Sequence, residues 1–462
     1  MIDSNALVMI VLFALLPTLG VLSAVLRSRI FAIASSTIIL FLIIFVAIAL
    51  LAQGVNLSIA GVLHFYPFSD FFIALFSMLM ILIEIISWNA NSISKLQPLI
   101  GFASLSILIV PAASSLLSLF IGLELFSVLA SFMILVSGKR HIEAAVKFFI
   151  LGALSISLFS IALALVMPYD GTLSISAITQ NPAIGGISVL LLAIAFFAAA
   201  LSFDSSMFPF NLWVPDVYEG APSNISALIA GIGKKLAFVA IIEVFFVAFA
   251  GFGSEYSKLF ILLSILTMFY GNLAAMSQKN MKRLFAYSSI SQAGYIMIGI
   301  AVATQYGVSA SIVQIVAHAF AIVGAFAIIM FLESKNINTI DDYTGMAGRN
   351  VFIAVSLIII MLSMAGVPPF LGFEGKLMLF SSAISTNLLY LALLGVLNSF
   401  ISIYYYGKVM TTMLSRRHEK KIENRFSIML VVIIVIAILL VFGIYPQPVM
   451  SIASASVASL QP

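Results

Sequence analysis

Runs of about 20 apolar residues, separated by short polar connections, recur along almost the whole chain. A helix rises about 1.5 Å per residue, so each run is long enough to cross the hydrocarbon of a bilayer. The runs fall at about 5–26, 30–52, 66–88, 99–114, 116–137, 144–167 and 187–208. They continue at about 222–250, 257–277, 284–304, 309–333, 351–385, 386–410 and 426–446. The 351–385 stretch is too long for one straight span, and Gly366, Pro368, Pro369 and Gly372 divide it, so it reads as one broken helix. The pattern predicts an all-α membrane protein of fourteen transmembrane helices. The first run lacks the basic lead-in of a cleavable signal and reads as the first span. The longest connections, about 168–186, 334–350 and 411–425, are too short to fold alone, so residues 1–462 read as a single transmembrane domain.

Composition explains why the bilayer must be the solvent. Hydrophobic residues make up 63% of the chain and charged ones 8%, where soluble domains carry roughly 25% charged residues. The absence of Cys excludes thiolate-held iron–sulfur clusters, Cys-based zinc sites, disulfides and thiol nucleophiles in this chain. The net charge of +4 sits in connections, and no basic tract interleaved with aromatics points to nucleic acid. Numbering the connections from one to thirteen, the odd ones carry Arg27, Arg29, Lys95, Lys139, Arg140, Lys279, Lys282, Arg283, Lys335 and Arg349. The last odd one adds Arg416, Arg417, Lys420, Lys421 and Arg425, with Lys408 just inside the adjoining helix. Only Lys258 lies near an even one. By the positive-inside rule both termini face outward across the cell membrane.

Candidate chemistry lies in what interrupts this rhythm. Pro209, in Met207-Phe208-Pro209-Phe210, and the pair Pro368-Pro369 break the seventh and twelfth runs. Paired broken helices in two halves of a membrane protein point to a transporter with its ion site at the breaks. Most membrane-helix prolines, by contrast, bind nothing. Ionisable residues within the runs include Glu124, Lys147, Asp204, Lys234, Lys235 and Lys376, with His318 in the eleventh. Such residues are expensive in hydrocarbon and tend to face the protein interior with a role. Burial disfavours the charged form of either sign and a nearby opposite charge restores it, so changing an acid–lysine distance could load and release a proton. Each has a plainer reading. Lys147 is near enough to a helix end to snorkel. Lys234 and Lys235 stand about 100° apart, so at most one can point straight at a shared path. His318 fits a proton relay or a packing role equally. Glu84 reads as interfacial, Glu243 as a structural pair partner, and Glu374 as a possible cap. Gly231-Ile232-Gly233-Lys234 lacks the spacing of a phosphate loop.

The string Trp213-Val214-Pro215-Asp216-Val217-Tyr218-Glu219-Gly220-Ala221-Pro222, with Pro209-Phe210 before it, resembles the signature of the N-type antiporter-like membrane subunit of respiratory complex I. Gly122-Leu123-Glu124-Leu125, the stretch 143–153 around Lys147, the stretch 280–290, and Ala365 to Lys376 match in family order, from about 100 to 410. The resemblance implies fourteen helices with two inverted five-helix repeats at about 99–250 and 257–410. Residues 1–98 would be N-terminal helices and 411–462 a C-terminal helix and tail. It further implies a proton-translocating, non-redox subunit of a quinone oxidoreductase. Electron transfer would run in other membrane and peripheral subunits, which would hold the quinone, iron–sulfur clusters and flavin. NADH, reduced deazaflavin and ferredoxin all remain open as donor. Glu124 would be the buried acid of the first repeat, Lys234 the connecting lysine and Lys376 the lysine of the second broken helix, with Lys147 inside a matching motif. One departure stands out: where the family has a lysine before the first Pro-Phe, this chain has Asp204. Either Glu124 and Asp204 share a proton, or Lys235 or Lys147 supplies the missing charge. Ile322, four residues after His318, stands where L- and M-type relatives carry a lysine, which favours the N-type. A subunit of a multi-protein sodium/proton antiporter is the alternative, and a purely structural scaffold a third.

Overall fold

The computed structural model describes residues 4–88, 93–171, 173–180, 187–415 and 421–460. Arg416, Arg417 and Lys420, counted above among the basic connections, lie outside these. Among the described residues twelve helices are long and apolar enough to cross a membrane, from Asn5–Leu26 to Phe426–Ile444. Two shorter apolar helices, Lys95–Ile109 and Val351–Ala365, accompany them. Connections between helices are tight because polar side chains cap the helix starts. Ser28 accepts from Phe31 N, Ser115 from Ser118 N, Thr304 from Gly307 N and Asn350 from Ile353 N. Each satisfies a backbone donor that the first helical turn leaves open. Large apolar side chains such as Phe45, Ile38, Phe400 and Phe426 are exposed, a surface suited to lipid rather than water.

The chain forms two compact units. The first comprises 1–205, 232–258 and 454–462. In it a hairpin, β1 (Leu57–Ile59) and β2 (Leu63–Phe65), pairs Leu57 with Phe65 and Ser58 with His64. The sequence pattern predicts only a connection over this segment. Its outer edge is not left open: His64 N donates to Ala112 O and Ser114 N to Val62 O. Leu116 N in turn donates to Leu173 O, and Ile175 N to Ser114 O. Three connections are thereby laced together at one end of the unit.

The second unit comprises 206–231 and 259–453. The helix Gln305–Glu333 is its core: nearly every residue from Gly307 to Leu332 is buried. Met281–Ala301, Leu371–Ser385 and Phe426–Ile444 pack around it.

Candidate functional site

In the second unit, the site follows from two prolines. In an uninterrupted helix the carbonyls of Met364 and Ala365 would accept from residues 368 and 369. Pro368 and Pro369 have no N–H to give. The helix Val351–Ala365 therefore stops at Gly366, which takes a left-handed conformation (φ 84°). The two stranded acceptors find side-chain donors instead. Gln292 Nε2 donates to Met364 O at 2.8 Å, and Lys376 Nζ to Ala365 O at 3.0 Å. Lys376, only 3% exposed, also donates to Ser399 Oγ at 3.1 Å and lies 4.2 Å from the centre of the Tyr295 ring. The break thus creates the oxygen that holds the ammonium.

A ladder of neutral groups continues from there. Ser399 Oγ donates to Tyr295 OH at 3.4 Å, and Asn272 Nδ2 to Asn398 Oδ1 at 3.0 Å. Tyr405 OH donates to Asn272 Oδ1 at 3.1 Å. The sequence alone does not reveal it, since the bonded partners lie more than a hundred residues apart. His318 is buried beside the same break, in a small pocket with Gln292, Gln314, Ser363 and Gly372. Gln314 Nε2 donates to Gln292 Oε1 at 2.9 Å. His318 and Lys376 therefore lie beside one break.

Two of the matching motifs lock onto each other. Arg283 Nη1 donates to Asp216 Oδ1 at 2.8 Å and to Glu219 Oε2 at 2.9 Å. Lys282 Nζ donates to Ala221 O at 2.7 Å and sits 3.3 Å from Glu333. The signature string thereby anchors the start of the helix Met281–Ala301.

In the first unit, Glu124 is carried by Leu116–Val136 and Asp204 by the last turn of Ile187–Ser205. The two carboxylates are close enough to feel each other's charge. Ser155 Oγ donates to Asp204 Oδ2 at 3.2 Å, while Glu124 Oε2 is buried without a hydrogen-bond partner among the described residues. Lys147 forms an ion pair with Glu143, one turn earlier, at 2.8 Å.

Lys234 and Lys235 are both 1% exposed and within electrostatic reach of each other. Helical stretches with i→i+5 bonding, Ile229–Gly233 and Ile242–Ala248, flank them; such stretches often mark functional positions. Gly233 has Phe126 against it, and a Cβ there would lie 3.0 Å from ring Cζ. The Glu124 helix thus abuts the turn that bears Lys234. The spacing that separates Glu243 from Lys234 is matched by its partner, since Tyr66 OH donates to Glu243. Glu84 is buried within the protein and accepts from Ser36, Thr37 and Gln97 on neighbouring helices. Glu374 sits in the first turn after the second break. Asp70, passed over in the sequence, is fully buried with neither carboxylate oxygen hydrogen-bonded among the described residues.

Buried ionisable side chains, one of them held by the loose end of a broken helix, define a multi-pass membrane protein of the broken-helix, transporter-like class. The family profile described as "NADH:quinone oxidoreductase/Mrp antiporter, TM" matches residues 113–402, and the chain belongs to that family. NADH-quinone oxidoreductase subunit N of Moorella thermoacetica is 37% identical over 404 residues, spanning 84% of this chain and 84% of the relative. The F(420)H(2) dehydrogenase subunit N of Methanosarcina mazei is 31% identical over 415 residues, spanning 85% and 84%. Among solved structures, a chain of the Mrp complex from Dietzia sp. superposes with a TM-score of 0.91 at 19% identity. That match covers 99% of this chain and 98% of the other, and is a likeness of fold. The complex I resemblance of the motifs is borne out.

Proposed function

We propose that this chain is a proton-translocating membrane-arm subunit of a complex I-like quinone oxidoreductase, acting without redox chemistry of its own. Electron transfer in partner subunits, where quinone, iron–sulfur clusters and flavin reside, drives it. The observation that carries the reading is the deep burial of Lys234 and Lys376 in a chain 31–37% identical to N-type subunits over most of its length. On this reading the two shorter apolar helices are spans as well, the second continuing past its break, and the twelve become fourteen. The inverted repeats run over about 99–250 and 257–410, with both termini outside the cell membrane.

Within the set, Glu124 and Asp204 form an acid pair that shares a proton, in place of the acid–lysine pair of the family. Lys234 connects onward, and Lys376 is the lysine of the second break. Its ammonium is stabilised by Ala365 O and the Tyr295 face, contacts that weaken when it becomes neutral. Lys147 belongs to the main set through its motif, and Lys235 and His318 are secondary members. The test is proton pumping per electron by the assembled complex in vesicles. Lys234→Met and Lys376→Met should each lower the ratio without lowering assembly; unchanged ratios in both sink the proposal.

The TM-score of 0.91 with an Mrp complex chain favours one second reading, a subunit of a sodium/proton antiporter. Co-purification in mild detergent separates the two. Iron–sulfur proteins in the complex select the first, and sodium-dependent transport without quinone reduction selects the second.

A further inference from the structure

A cavity of about 400 Å³ opens under the laced connections at one end of the first unit. A water needs about 10–15 Å³ of such space, so it holds many. Its lining is mixed: Asn56, His64, Ser114, Ser174, Thr179 and Ser459 bring polar groups to it, among apolar side chains such as Val247 and Leu460. Among the described residues no Lys or Arg lines it. Its floor is Tyr66 and Glu243, joined by a hydrogen bond from the phenol to the carboxylate. The His64 ring stacks on Tyr66 with centroids 4.7 Å apart. Burial lowers the pKa of His64, so at neutral pH the imidazole adds no fixed charge to the wall.

Behind the floor lies Asp70, one turn along from Tyr66 and within electrostatic reach of it. Asp70 is fully buried without a hydrogen-bond donor among the described residues. A buried membrane acid without a hydrogen-bond donor among the described residues is a functional-site hypothesis by default. Glu243 shares the helix Ser223–Ala248 with Lys234 and Lys235. It stands nine residues beyond Lys234, about 13 Å along the axis. The cavity therefore joins bulk water to the helix that carries the buried lysines. It is walled by connections other than the basic ones, at the end of Leu116–Val136 away from Lys139 and Arg140.

We propose that this cavity is an outward-facing proton port of the first unit. Glu243 exchanges protons with cavity water, Tyr66 is its hydrogen-bond partner, and Asp70 is the next acceptor inward. Each exchange moves one proton between a water and a carboxylate and needs no other reactant. The proposal rests on the proton-translocating reading above, and the experiment separates the two.

Protons pumped per electron are measured for the assembled complex carrying Glu243→Gln, Tyr66→Phe or Asp70→Asn, beside Lys234→Met. Loss in the Glu243 and Asp70 variants equal to that of Lys234→Met, with a smaller loss for Tyr66→Phe, supports the port. Loss in Lys234→Met with full pumping in Glu243→Gln and Asp70→Asn overturns the port and leaves the function standing. Full pumping in all four removes both.

Should the polar variants fail to assemble, the absence of native Cys in this chain permits a second measurement. Ser176, exposed at the cavity edge, is changed to Cys and treated with a charged, membrane-impermeant thiol reagent. Labelling from the outer side that lowers pumping to the Lys234→Met level supports the port. Labelling only from the inner side, or complete outer labelling with no loss, overturns it.

Discussion

Adding a single methyl group at Gly366 tests how the broken helix holds its lysine. The backbone there is left-handed (φ 84°), and a Cβ would lie 2.7 Å from Lys376 Cδ and 3.5 Å from Nζ. Carbon pairs rest comfortably at about 3.5–4.0 Å, so one partner must move. The lysine stem is flexible and gives way, which draws Nζ from Ala365 O. Two costs follow. An L-residue in the left-handed region costs about 1–2 kcal/mol. A hydrogen bond from a charged donor contributes about 1.5–3 kcal/mol.

Gly54 supplies the control. It too caps a helix in the left-handed region (φ 61°), but a Cβ there meets nothing within 4 Å. Gly54→Ala should carry only the backbone cost of about 1–2 kcal/mol. Gly366→Ala should carry both, about 2.5–5 kcal/mol. Thermal loss of the assembled complex ranks the two, and protons pumped per electron read the function. Gly54→Ala should pump normally, whereas Gly366→Ala should fall toward the level of Lys376→Met. Normal pumping by Gly366→Ala, or an equal loss in both, would refute the account of the break.

Three further outcomes are expected. On the proposal that Glu124 and Asp204 act as one proton-sharing unit, Glu124→Gln, Asp204→Asn and the double variant should lower pumping by the same factor, since paired groups are not additive; a double variant that loses the product of the two single losses contradicts this. Gln97 donates to both Glu84 and Ser36 at 2.9 Å, so Gln97→Ala should destabilise by about 1.5–3 kcal/mol, visible as a lower midpoint of thermal loss of the complex. Burial pushes the Asp342 carboxyl up, but hydrogen bonds from the Thr339 and Asn338 backbone outweigh it and hold the pKa below 3.8. A depressed carboxylate stabilises above its unfolded pKa and loses that contribution as pH falls through the folded one, so Asp342→Asn should lower thermal stability at pH 7 and the gap should close below pH 4 or so; a gap that widens in acid contradicts the assignment.

The helices were readable because hydropathy in a bilayer depends only on length and composition, and neither needs the fold. The apolar runs predicted helices well, including the break at Pro368 and Pro369. The ends were less clear: the seventh run was read to residue 208, but the helix stops at Ser205, where Ser206 turns left-handed. The 54–66 hairpin looked like a connection because three-residue strands carry almost no alternation.

Among the site residues, single ionisable groups stood out against apolar neighbours, and their partners did not. Ala365 O is invisible in a sequence, although the two missing N–H groups of Pro368 and Pro369 imply that some donor must come. Asp70 and Glu84 lie near helix ends, where hydropathy cannot tell a headgroup contact from a buried acid. Ser36, polar in an apolar run, and Gln97, just before one, were the available signal for Glu84. The pairing of Asp216 and Glu219 with Arg283 joins two motifs that could be seen only separately.

The second break also sets helix continuity against ion binding. Ala365 O can serve the backbone of an unbroken helix or the ammonium of Lys376, and Pro369 decides for the lysine. Replacing both prolines with alanine would restore two backbone donors and improve the local hydrogen bonding. It would also take away the oxygen on which the lysine rests. Selection for thermal stability alone would therefore tend to erase this site, and a stabilised variant of the chain should be screened first for an intact break.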